Sequence, residues 1–251
     1  MRHPLLIPVL CAALAGAACN SEPPASSQPP SKKVDPATTG SLTGRVTFSG
    51  TPPAAEMMQI NEDPICQQAL GRNPKSEAVL VAADGGVQNA FVYIKDALTE
   101  YAFDPPTAAV MLDQKGCHYT PRVFGVRVGQ TVDIANSDPT LHNVHALPMN
   151  NAEFNVGQPV QGTHMTQVFN APEVMVRFKC DVHNWMNAYG GVVSHPFFAV
   201  TGADGSFSIT GLPSGEYTLA VWHEKLGASS LPVTIGARQA ETANFVLTAA
   251  K

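Results

Sequence analysis

Short alternating apolar runs, each closed by Gly, Pro or Asp, recur along this chain and leave little room for anything but β-structure. Gly44–Phe48, Asn89–Ile94, Phe207–Ile209, Tyr217–Trp222 and Asn244–Leu247 are runs of this kind, and period-two alternation between turn residues is the signature of strands. The one helical stretch expected is short, around Pro64 to Leu70. An all-β protein follows.

One of these runs ends on chemistry. In Val174-Met175-Val176-Arg177-Phe178-Lys179-Cys180, alternation places Val174, Val176, Phe178 and Cys180 on one apolar face and Met175, Arg177 and Lys179 on the other. The thiol of Cys180 is therefore expected to point inward at a strand end. His183 and Met186 follow, completing C-x2-H-x2-M, and both can turn back towards the thiol only if residues 181 to 186 form a short loop. A His-Asn pair, His142 and Asn143, lies upstream. One thiolate, two imidazoles and a weak axial thioether are the donors of a blue-copper electron-transfer centre, whereas zinc more often takes a second Cys or a carboxylate. The bland alternative makes Cys180 a buried small hydrophobe, Met186 core filler and His183 an ordinary loop residue.

Alternation also chooses between two upstream histidines. In an extended Leu141-His142-Asn143-Val144-His145-Ala146, His142 sides with Val144 and Ala146, while His145 faces outward with Asn143. His142 is the expected ligand, and His145 is expected at the surface or behind the ligands.

Tyr119–Val123, Val128–Val132, Asn136–Asp138, His142–Val144 and Cys180–Met186 together resemble the cupredoxin family, with the two-residue gap between His183 and Met186 similar to amicyanins. The resemblance covers residues 104–196. It implies a Greek-key β-sandwich with one mononuclear type 1 copper, held by His142, Cys180, His183 and Met186. It also implies that the peptide N–H of Asn143 bonds the cysteine sulfur, and that Trp185, beside the edge of His183, contributes to an apolar docking patch. Val182 stands where the family often has Pro.

Cysteine usage agrees with an exported protein. Residues 1–18 read as a signal peptide, with a basic start, an apolar Leu5–Leu14 stretch too short to span a bilayer, and small residues before Cys19. Cys19 resembles the lipidated cysteine of a bacterial lipobox, with Gly16 where Leu is usual; simple cleavage near Ala17 is the alternative. Removal of Cys11 and acylation of Cys19 leave Cys66, Cys117 and Cys180. In an oxidising periplasm Cys66 and Cys117 are expected to form a disulfide, leaving Cys180 as the free thiolate; three reduced core cysteines are the alternative. Residues 19–40, rich in Pro, Ser and Ala, read as a tether from a lipid anchor. The formal net charge is −5, and no basic cluster argues for nucleic acid.

The flanks carry a second resemblance. Thr201–Ile209 with its Asp204-Gly205 turn, followed by Gly211–Leu219, looks like the later half of a carboxypeptidase-regulatory-like, transthyretin-type sandwich; residues 42–54 and Ala90–Ile94 look like its first half. The copper sandwich at 104–196 is accordingly expected to be inserted in, or joined to, a second sandwich built from residues 41–103 and 197–251. A surface loop tolerates such an insertion.

The other histidines, His118, His164, His195 and His223, show no ligand spacing, and Met149 and Met165 read as packing residues. GxSxG, HExxH, Walker and GxGxxG motifs are missing from the sequence, and a full type 1 site has no open position for catalysis. The expected function is non-enzymatic: a lipid-anchored carrier of single electrons between periplasmic donor and acceptor proteins. The competing class is a cell-envelope binding or scaffold protein that uses, stores or hands on copper through the same residues.

Overall fold

A computed structural model describes residues 31–60, 63–95 and 98–249. Cys11, Cys19, the expected signal peptide and the first part of the expected tether lie outside these residues. The N-terminal part contributes β1 (Gly40–Phe48), α1 (Pro64–Leu70) and β2 (Phe91–Ile94). The middle contributes β3 (Val110–Lys115), β4 (His118–Thr120), β5 (Val123–Arg127), β6 (Thr131–Asn136), β7 (His142–Leu147), β8 (Phe154–Gln158), β9 (Thr163–Val168), β10 (Glu173–Lys179) and β11 (Asn187–Val193). The C-terminal part contributes β12 (Phe198–Val200), β13 (Ser206–Leu212), β14 (Gly215–His223), β15 (Gly227–Ile235), β16 (Ala240–Thr242) and β17 (Phe245–Leu247). The described residues are all-β apart from α1.

The middle strands form two sheets of their own, β5-β11-β10-β7-β8 and β4-β3-β6-β9. Between them lies a core that includes Leu112, Val126, Ile134, Val144, Phe178 and Ala188, each buried because it falls on the inward phase of its strand. Strands from both sides of that segment build the other sandwich. β1 pairs with β13 on one side and with β16 and β17 on the other, while the second sheet runs β12-β2-β14-β15. Leu42 and Val46 of β1 share a core with Ile94 of β2 and with Leu219 and Val221 of β14. Leu219 pairs directly with Ile94; the strand of Val46 reaches it through the core and not through a ladder.

The two sandwiches meet on a seam where Phe91, Val123 and Val193 are buried among Tyr93, Val174, Met175, Phe198 and Trp222. Glycines permit the close approach: a Cβ at Gly125 would stand 2.1 Å from the Phe198 ring, and one at Gly191 would stand 2.5 Å from Phe91. Arg122, between β4 and β5, forms a fork of 2.5 and 2.9 Å with Glu224, just past β14. Val174 belongs to this seam and not to the inner face assigned by alternation. A register shift between Glu173 and Val176 puts the strand out of phase, so strict alternation holds only from Val176 onward.

Two segments depart from their sequence grouping. Residues 32–38, expected as tether, lie against the outer sandwich: Lys32 N–H donates to Glu100 O and Arg238 Nε–H to Ala37 O. Residues 41–103 do not all serve the outer sandwich either, because α1 crosses onto the middle one and buries Cys66 in its core. Among the described residues no helix is long and apolar enough to cross a membrane.

Candidate metal centre

β10 delivers Cys180 to the interior because Val176 and Phe178 occupy the same inward phase, and all three are buried. β7 starts at His142, and its inward phase, His142, Val144 and Ala146, is fully buried. His145 points away, its Nδ1 2.9 Å from Asp181 and its Nε2 2.8 Å from Glu153. The segment after Cys180 curls back: Met186 N–H donates to His183 O at 3.0 Å and Cys180 N–H to Met186 O at 3.2 Å. That turn folds His183 and Met186 inward beneath the strand ends, and both are buried.

The donors converge. Nδ1 of His142 lies 2.9 Å from Nδ1 of His183, which lies 3.7 Å from Sγ of Cys180, and the three donor atoms fall within 4.8 Å of one another. An ion about 2.0–2.3 Å from each donor needs them about 3–4 Å apart, so the set fits a single metal. Met186 is buried in the same core beside Cys180. Asn143 donates its peptide N–H to Cys180 Sγ at 3.4 Å, the contact expected from the family resemblance. The Asn143 side chain accepts from Asp181 N–H, and the Asn143 backbone carbonyl accepts from the Tyr119 hydroxyl at 2.6 Å. Tyr119, almost fully buried, is held protonated far above the ordinary phenol range by desolvation, reinforced electrostatically by its neighbours Cys180 and Asp181. These bonds fix the peptide that faces the sulfur.

Sequence reasoning missed the groups behind the histidines. Nε2 of His142 is 3.0 Å from Asp138 Oδ2, and the same carboxylate accepts the peptide N–H groups of Gly116 and Cys117 at 2.7 and 2.8 Å. Nε2 of His183 is 3.4 Å from Asp63 Oδ2 and 3.7 Å from Cys66 Sγ. The i, i+4 spacing of Asp138 and His142 was a signal open to reading. Asp63 offered none, since it arrives through a tertiary contact. Burial, then the nearby His142, lowers the pKa of His183, which favours the neutral imidazole that a metal needs.

Cys66 and Cys117 are joined by a disulfide, and Cys180 is the free cysteine among the described residues. The disulfide sulfurs also approach carboxylates and the two histidines, but bonded to each other they offer no thiolate to a metal. The bridge pins α1 across the outer edge of His183, which is wholly buried. The docking patch expected around that edge is therefore covered. Trp185 is only half-buried, its ring centroid 5.0 Å from that of His183 and its indole N–H donated to Cys117 O at 3.0 Å.

The remaining histidines among the described residues have partners within the protein. His164 pairs with Asp133 at 3.0 Å and His118 stands 3.8 Å from Glu77. Nε2 of His195 bonds Ile94 O, and Nδ1 of His223 accepts the N–H groups of Lys225 and Leu226. Met165 packs against the middle core as expected. Met149 does not, being 91% exposed.

The carboxypeptidase regulatory-like domain family matches residues 190–248, so the match covers β12 to β17. No curated protein matches the chain. Solved structures that overlay part of it include a copper-containing nitrite reductase from Thermus scotoductus, at 20% identity and TM-score 0.32, covering 39% of this chain and 24% of that one. A reduced amicyanin variant aligns at 22% identity and TM-score 0.31, covering 36% of this chain and 86% of that one. A purple cupredoxin from Nitrosopumilus maritimus aligns at 22% identity and TM-score 0.29, covering 34% of this chain and 98% of that one. The chain thus resembles cupredoxins over about a third of its length and a carboxypeptidase regulatory-like domain towards its end.

Proposed function

We propose that this protein is an exported type 1 copper protein that carries single electrons between redox partners in the periplasm or at the cell envelope. The observation that carries the reading is the convergence of His142 Nδ1, His183 Nδ1 and Cys180 Sγ in a buried site. His142, Cys180, His183 and Met186 would hold the copper, with two imidazoles, a thiolate and a weak thioether as donors. Copper supplies one-electron redox chemistry there. The chain supplies a rigid site: Asn143 N–H bonds the sulfur, Asp138 orients His142, and burial excludes water. Anchoring through Cys19 belongs to the same proposal, as does an outer sandwich from residues 41–103 and 197–251 that places the copper sandwich at 104–196.

The covered edge of His183 favours a second reading, in which the protein holds or hands on copper and exchanges electrons poorly. One experiment separates the two. Apo protein titrated with Cu(II) should bind one ion per chain and then undergo reversible one-electron reduction at an electrode. Binding without reversible reduction supports storage, and no binding at one equivalent overturns both.

A further inference from the structure

The two imidazoles meet through Nδ1, and that of His183 also faces Cys180, so each must place the proton of its other nitrogen inside the protein. An imidazole that ligates through Nδ1 is neutral and carries its N–H at Nε2, and a partner at that nitrogen fixes tautomer and ring angle. His142 finds its partner within four residues, at Asp138. The groups at Nε2 of His183 come from outside its loop: Asp63 Oδ2 at 3.4 Å and the disulfide sulfur of Cys66 at 3.7 Å. Of the two, a carboxylate is by far the stronger acceptor.

We propose that Asp63, carried in on α1, is the positioning residue of His183, fixing its Nε2–H tautomer and placing a negative charge one imidazole away from the metal. The proposal rests on the copper reading. It draws on how firmly the carboxylate is held. Oδ1 caps α1 by accepting from Ile65 N–H and Cys66 N–H at 2.8 and 3.1 Å. Oδ2 accepts from the Thr140 hydroxyl at 2.7 Å, two residues before His142, so one carboxylate ties the helix, the approach to one ligand and the back of the other. The disulfide fastens the first turn of the same helix to Cys117, which keeps Asp63 from swinging away. A fixed negative charge at this place stabilises the more positive oxidation state.

The test compares the full-length Asp63→Ser and Asp63→Asn variants with wild type. Ser and Asn remain good helix N-caps, so both should keep α1, while the charge and the second acceptor, bonded by Thr140, are gone. In the apo protein, histidine ¹⁵N shifts should report the Nε2–H tautomer of His183 in wild type and a mixture of tautomers in both variants. In the copper-loaded protein, Cu(II) affinity should fall about tenfold and the midpoint potential should rise. Unchanged tautomer, affinity and midpoint in both variants would reduce Asp63 to a helix cap and overturn the proposal. If wild type binds no copper, the copper reading fails by itself, and the apo tautomers still decide the role of Asp63.

Discussion

Sγ of Cys66 lies 3.7 Å from Nε2 of His183, so the loop histidine of the candidate site ends against a disulfide and not against solvent. The bridge joins residues 51 positions apart and crosses from α1 to the turn between β3 and β4. One covalent link thereby closes the core of the middle sandwich and shields the candidate metal centre.

Breaking that link should cost stability. Closing a loop of this length lowers the entropy of the unfolded chain by an amount worth about 4 kcal/mol, and both cysteines are fully buried. The Cys66→Ala/Cys117→Ala variant is expected to lose about 2–4 kcal/mol in urea unfolding followed by tryptophan fluorescence. A loss below about 0.5 kcal/mol, the range of a neutral surface change, would show that the bridge does not bind α1 to the core.

Arg122 and Glu224 are the charged contact across the seam, with side chains 12% and 5% exposed. Removing one partner strands a buried charge, which costs about 3–5 kcal/mol. Glu224→Ala should therefore destabilise strongly, and Arg122→Met/Glu224→Leu should recover most of the loss because it buries no charge. Equal stability of wild type and Glu224→Ala would contradict a desolvated pair.

The outer sandwich should weaken in mild acid. Desolvation lowers the pKa of both His195 and His223, so the unfolded chain, titrating near about 6.5, takes up their protons first. A depressed folded pKa gives stability that is present above the unfolded pKa and lost as pH falls through the folded one. His145 acts with opposite sign, since its hydrogen bond to Glu153 raises its pKa, with Asp181 adding to the effect. The comparison is therefore between proteins: from about pH 7.5 to about pH 5.5, His195→Gln/His223→Gln should lose less of its urea midpoint than wild type. Parallel losses would contradict the assignment.

What was legible in the sequence follows the range of the physics. The inward thiol of Cys180 and the inward His142 beside an outward His145 were legible because a strand has period two, and Cys180 directly follows and His142 opens an intact stretch of it. Val174 was not, because a register shift breaks the phase two residues before Val176. The disulfide followed from counting thiols on the expectation of export. Its place against His183 did not, nor did that of Asp63, because nothing local in residues 63–66 records which loop α1 will cover. Met149 was read as a packing residue from its apolar side chain, and a turn left it in solvent.

The most direct test of the account is the visible spectrum of the copper-loaded protein beside that of Cys180→Ser. A thiolate bound to Cu(II) among two imidazoles gives an intense visible charge-transfer band. The account predicts that wild type with one equivalent of Cu(II) is strongly coloured, bleaches on reduction and recovers on oxidation, and that Cys180→Ser is colourless. A colourless wild-type complex, or a Cys180→Ser variant with an unchanged spectrum, would contradict it.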